Sequence, residues 1–156
     1  MAGKLRFDNP KTLPKPPGYS YVVEATGPVR TIYLAGQLGV DMDNKFVGEA
    51  GDFSAQCVKA HDNLTLALAA AGAKWSDVVK INNYLVDITD NMAAYREIRN
   101  RYLNPKAPPA STTIGVPALA RPGGLFEVEA IAVLPARGAA KAANKPVAKK
   151  SKKKKR

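Results

Sequence analysis

The segment LFEVEAIAVLP, residues 125–135, constrains most what this chain can fold into. It is the most apolar strand-like stretch of the sequence, and a strand alternates its faces. Glu127 and Glu129 therefore share one side, while Phe126, Val128 and Ala130 share the other. The apolar side belongs in a core. Carboxylates on the opposite side are costly to bury unless they meet water, hydrogen-bond donors or a neighbouring chain. A sheet with helices on one face and a second copy of the chain on the other satisfies both sides, so homo-oligomerisation is expected.

The remaining pattern supplies such a sheet. YSYVVEAT (19–26) and RTIYLAGQLGV (30–40) read as two strands joined across Gly27-Pro28, which predicts a hairpin. From a predicted N-cap at Asp52, the residues Phe53, Cys57, Ala60, Leu64, Leu68 and Ala71 recur at helical spacing until Gly72. Cys57 is expected to be a small buried residue, and His61 to lie on the helix surface beside the apolar stripe. VVKINNYLVDI (78–88) reads as a strand, and Asp90 as the cap of a second helix. That helix sets Met92, Tyr95, Ile98 or Arg99, and Tyr102 on one side and stops at Asn104-Pro105. A proline-rich loop leads to ASTTIGV, in which Ser111 and Thr113 point one way and Thr112 the other. The predicted class is α+β, a mixed sheet with two helices on one face.

Composition narrows the function classes. At 156 residues the chain forms one domain with enough core to need no staple. One cysteine and one histidine make neither an internal disulfide nor a zinc constellation, so no metal is expected. The N-terminal residues are too polar and proline-rich for a signal peptide, and no apolar run approaches the ~20 residues needed to cross a bilayer. A cytoplasmic location follows as an expectation. Ten of the 24 basic residues and none of the 13 acidic ones lie in residues 137–156, leaving fourteen and thirteen before them. The basic character belongs to the tail. Such a lysine run either serves as a solubilising tail or associates non-specifically with nucleic acid or an acidic membrane surface through phosphate neutralisation.

Four stretches together resemble the reactive-intermediate deaminase family, also called Rid or YjgF-like. They are AGQLGVD (35–41), AAAGAKWSDVVKINNYLVDI (69–88), APPASTTIGV (107–116) and FEVEAIAV (126–133). The resemblance covers residues 16–135, leaving 1–15 as an N-terminal arm and 136–156 as a disordered, Lys-rich tail. It implies a chorismate-mutase-like α+β domain, a homotrimer with ligand clefts between subunits, and cofactor-free hydrolysis of small reactive enamines and imines. Residue by residue, it implies Glu127 as the catalytic acid that orders the attacking water. Tyr21, Gly36, Ser111 and Thr113 are implied at the substrate, with Arg121 in reach of the cleft. Ser111 stands where deaminating members carry a carboxylate-clamping arginine, so the expected substrate is other than a simple 2-imino acid. A non-catalytic ligand-binding or chaperone-like trimer is the alternative.

Overall fold

A computed structural model describes residues 3–136; the tail and its expected nucleic-acid contacts lie, from residue 137 on, outside the described residues. In chain order the elements are β1 (Lys4–Asp8), β2 (Val22–Thr26), β3 (Val29–Leu38), α1 (Phe53–Ala70), a 3-10 turn (Trp75–Asp77), β4 (Val78–Leu85), α2 (Ile88–Arg99), β5 (Ala110–Gly115) and β6 (Phe126–Pro135). Strands β3, β6, β4 and β5 form one mixed sheet in that spatial order. Only β4 and β5 are parallel, and α2 makes the crossover that a parallel pair requires. The predicted α+β class is the one observed.

Strand β6 divides the molecule. Phe126, Val128, Ala130 and Ala132 are buried on one face, in one cluster with Phe53, Cys57, Leu64 and Leu68 of α1, Tyr95 and Ile98 of α2, and Ile81 and Leu85 of β4. Both helices thus cover the same face. Truncating a side chain such as Phe126 there costs about 3–5 kcal/mol. The other face carries Glu127, Glu129 and Ile131, and Tyr33 of β3 stands 78% exposed.

Local signals explain the helix ends. Asp52 caps α1 as expected, its Oδ1 accepting from the Ala55 N–H at 2.9 Å. At the other end the Ala73 N–H donates to the Leu68 carbonyl and the Gly72 N–H to the Ala69 carbonyl, both at 2.9 Å, which closes a Schellman motif. Helix α2 begins earlier than expected. Asp87, in the left-handed region at φ 48°, precedes its first residue, and Asp90 falls in the first turn, where its charge suits the positive end of the helix.

Two expectations are corrected. The hairpin across Gly27-Pro28 does not form, because β2 pairs with β1 and β3 pairs with β6. Pro28 has no N–H for a hairpin ladder, and its carbonyl accepts from Ala136 at the end of β6. His61 is not on the helix surface but fully buried, stacked against Tyr102, Phe126 and Trp75 at centroid distances of 4.8, 5.2 and 5.8 Å. Its Nδ1 lies 2.8 Å from the Cys57 carbonyl, a contact that requires the N–H on Nδ1. Nε2 is buried without a partner. The aromatic neighbours outweigh the helical preference for a solvated imidazole.

Burial pushes the His61 pKa down to about 4. The unfolded chain takes up the proton near pH 6.5, so stability is fully present above pH 6.5 and is lost as pH falls toward 4. The difference of about 2.5 pH units corresponds to roughly 3 kcal/mol. Because this is the only histidine, thermal midpoints between pH 6.5 and 5 should fall in the wild type and stay nearly flat in His61→Phe. Equal slopes in the two proteins would place the acid sensitivity elsewhere.

Candidate functional site

The hydroxyl strand β5 forms one wall of a cavity of about 230 Å³. Register decides what faces it. Ser111 and Thr113 lie opposite Ile81 and Asn83 of β4, on the helix-covered side of the sheet, while Thr112 turns the other way and accepts from Lys80 Nζ at 2.6 Å. The Asn83 amide donates to Ser111 Oγ at 3.3 Å and to the Thr112 carbonyl at 3.0 Å. Thr113 Oγ1 is 3.5 Å from the Tyr95 hydroxyl.

Helix α2 supplies the second wall with Met92, Tyr95, Arg96 and Arg99, and the loop of Pro17 and Tyr19 supplies the third. That loop is fastened to the start of β5. Ser20 Oγ donates to the Pro108 carbonyl at 2.7 Å and its N–H to the Pro109 carbonyl at 3.2 Å. Tyr21 follows, its ring edge-on to Tyr19 at 5.4 Å. Burial holds the Tyr95 phenol above its usual range, while Thr113, Arg99 and Ser111 around its hydroxyl act the other way.

Glu127 belongs to a different place. It pairs in register with Tyr84 of β4 and Leu38 of β3, on the uncovered face of the sheet. Its neighbour Glu129 is anchored by Asn82 Nδ2 at 2.7 Å and the Tyr84 hydroxyl at 3.1 Å. The Glu127 carboxylate instead lies over Gly36, where a Cβ would collide with Oε1. A break in the β3–β6 register between Leu34 and Gln37 brings the glycine backbone under the carboxylate. Ser111 and Glu127 are separated by strand β4, roughly 10 Å across two strand spacings, and they face opposite sides. Within one chain they form two half-sites.

The sequence-predicted residues are therefore divided. Ser111 and Thr113 share the cavity, Tyr21 stands beside its loop wall, and Gly36 and Glu127 meet on the other face. Arg121 joins neither group: its guanidinium donates to the side chain and carbonyl of Asn44 and covers the Phe46 ring at 4.9 Å. Arg96 and Arg99 also line the cavity, where the sequence reading does not place them. The available signal was an arginine at position 99 on the stripe of Met92 and Tyr95, where a core-facing helix should be apolar. Among the described residues no group of three His, Cys, Asp or Glu side chains gathers as for a metal, and no helix is long and apolar enough to cross a membrane.

Known proteins share this architecture. The family model described as Endoribonuclease L-PSP matches residues 13–134. Protein DfrA of Myxococcus xanthus is 38% identical over 115 residues, which cover 74% of this chain and 84% of the relative. The 2-iminobutanoate/2-iminopropanoate deaminase of Dermatophagoides farinae is 32% identical, with 78% of this chain and 90% of the relative aligned. Among solved structures, a Rid-family protein of unknown function from Yersinia pestis, YyfB, superposes with a TM-score of 0.73 at 36% identity, covering 83% of this chain and 98% of the other.

The contact between Gly36 and Glu127 is open to a double-mutant cycle. Gly36→Ala should lower the unfolding free energy by about 1–3 kcal/mol, the usual range for overpacking. In a Glu127→Ala background the same substitution should cost clearly less. Chemical denaturation of the four proteins reads this coupling, and additive costs would mean that the carboxylate simply swings aside.

Proposed function

The chain belongs to the Endoribonuclease L-PSP family, which includes the Rid or YjgF-like proteins, and on that premise we propose that it hydrolyses small reactive imines and enamines without a cofactor. The observation that carries the reading is the placement of Glu127, a carboxylate over Gly36 on a face that no described element of its own chain covers. The deaminase name of the Dermatophagoides relative supports the same chemistry. Ribonuclease chemistry, which the family description names, fits less well. The only histidine is sealed in the core, away from both half-sites, so no imidazole can serve a phosphodiester.

The half-sites meet between subunits of a homotrimer. Opposite sheet faces cannot close on one another within a chain, whereas a neighbouring copy docked on the uncovered face brings its β5 wall toward Glu127. The exposed Tyr33, Ile114 and half-exposed Ile131 suit such a covering. Substrate enters the cavity as a protonated imine. The Ser111 and Thr113 hydroxyls and the ring of Tyr21 orient it, and water attacks its carbon while Glu127 takes the water's proton. Glu127 returns that proton to the carbinolamine nitrogen, the C–N bond breaks as the hydroxyl proton passes to the departing nitrogen, and a carbonyl compound and ammonium leave. Base help of this kind contributes typically ~10²–10⁴-fold, and positioning supplies much of the rest.

Two measurements test this. Wild-type protein should speed ammonia release from small imines generated in solution, and Glu127→Gln should lower kcat/KM by ~10²–10⁴-fold with its fold intact. Light scattering should give three times the chain mass at micromolar concentration. A monomer, or a Glu127→Gln variant as active as wild type, would remove the proposed site.

A further inference from the structure

Arg99 is a buried cation with no counter-ion among the described residues of its own chain. Its residue is only 6% exposed, and none of the ion pairs among the described residues includes it. Nε has no acceptor, Nη2 donates to the neighbouring Asn100 side chain at 3.2 Å, and the Tyr95 hydroxyl beside the guanidinium is neutral, with the ring centroid 5.5 Å away. The loop wraps it closely: at Gly18, held at φ +93°, a Cβ would lie 2.7 Å from Nη2. A guanidinium stays charged at every accessible pH, and burying it unpaired is expensive. The end of α2 offsets part of that cost through the negative end of its dipole.

The cavity beside it has the missing counterpart's shape and sign. Its lining includes two arginines, Arg96 and Arg99, one helical turn apart, together with the Ser111, Thr113 and Tyr95 hydroxyls and no acidic side chain. Within one chain every charged side chain that lines it is positive, and the Glu127 that the proposed trimer brings up from a neighbouring copy is taken up with the attacking water. We propose that Arg99, carried by α2 and assisted by Arg96, binds the carboxylate of a small organic acid in this cavity, with Ser111 and Thr113 on the carboxylate or the atoms next to it. A planar guanidinium pairs with a carboxylate through parallel N–H donors, and the cavity of about 230 Å³ limits the ligand to a few heavy atoms beyond that group. The serine on β5 thereby gives the helix-borne guanidinium room, so a chain with Ser111 can still take a carboxylate-bearing substrate. Only the choice of imine as the reacting group rests on the hydrolase reading; the carboxylate site stands on the cavity.

The test is a binding titration of the full chain by NMR. The probes are 2-oxobutanoate, its carboxylate-free counterpart 2-butanone, and inorganic phosphate. The keto acid should bind and shift the Ser111 and Thr113 amides and the Arg99 side chain, with the ketone and phosphate each at least tenfold weaker. Arg99→Gln should weaken keto-acid binding at least tenfold, and Arg96→Gln less. Ser111→Asp places an internal carboxylate beside the guanidinium, so it should abolish keto-acid binding while raising the thermal midpoint; this variant decides the matter if Arg99→Gln does not fold. Equal binding of keto acid and ketone, tighter binding of phosphate, or unchanged affinity in Arg99→Gln or Ser111→Asp would overturn the proposal. Ammonia release measured on the same proteins keeps the two readings apart. Keto-acid binding without turnover of any imine rejects the hydrolase alone, and turnover indifferent to Arg99 and to the substrate's carboxylate rejects the carboxylate site alone.

Discussion

The alternation along β6 is the constraint on which the rest depends. A strand in the middle of a sheet has both edges paired, so its two faces carry all of its side-chain information. In β6 one face is continuous with the core and the other holds two carboxylates. Moving the register by one residue would exchange them, burying Glu127 and Glu129 beneath α1 and exposing Phe126. The cost of that exchange fixes how β3 and β4 lie against β6. It also fixes the positions of Tyr84 and Asn82 around Glu129, and of Gly36 beneath Glu127.

The parts of the fold legible in the sequence were those where local chemistry and tertiary packing agree. Helix α1 has its cap, its apolar spacing and its glycine stop, and nothing distant competes with them. The shared face of Glu127 and Glu129 follows from strand period alone. Strand pairing was not legible in the same way, because β2 can satisfy its backbone against β3 or β1 with equal local propensity. The partners are distant in sequence, β1 for β2 and β6 for β3, and the Pro28 carbonyl that accepts from Ala136 prolongs the β3–β6 ladder. His61 was misplaced because helical spacing puts it beside the apolar stripe, whereas three aromatic rings from Trp75, Tyr102 and β6 close over it.

The candidate site is partly legible for a related reason, in where its residues lie. Ser111, Thr113, Gly36 and Glu127 lie on strands, where a resemblance in register carries a residue to a definite face. Arg99 lies on a helix, and its place in the cavity comes from what surrounds it: the Pro17–Tyr19 loop, the Tyr95 ring and the hydroxyls of β5. No short motif contains those three elements. They come together because Ser20 holds the loop to Pro108 and Pro109, across 88 positions of sequence in the case of its hydroxyl. The cavity is consequently a property of the finished tertiary structure.

Cys57 gives the chain a further property. Its thiol is fully buried against the core face of α1, and burial pushes its pKa up to about 12. Thiolate is the reactive form, so at neutral pH the folded protein presents almost none of it, and no reagent reaches the sulfur without opening the helix–sheet interface. In the unfolded chain the same group ionises near its ordinary value and lies in solvent. As the only cysteine, its alkylation rate reports the open population where reclosing outpaces the reagent and the opening rate where it does not, with no second thiol in the chain to blur it. The protein therefore carries an internal gauge of its own cooperativity that needs no engineered cysteine.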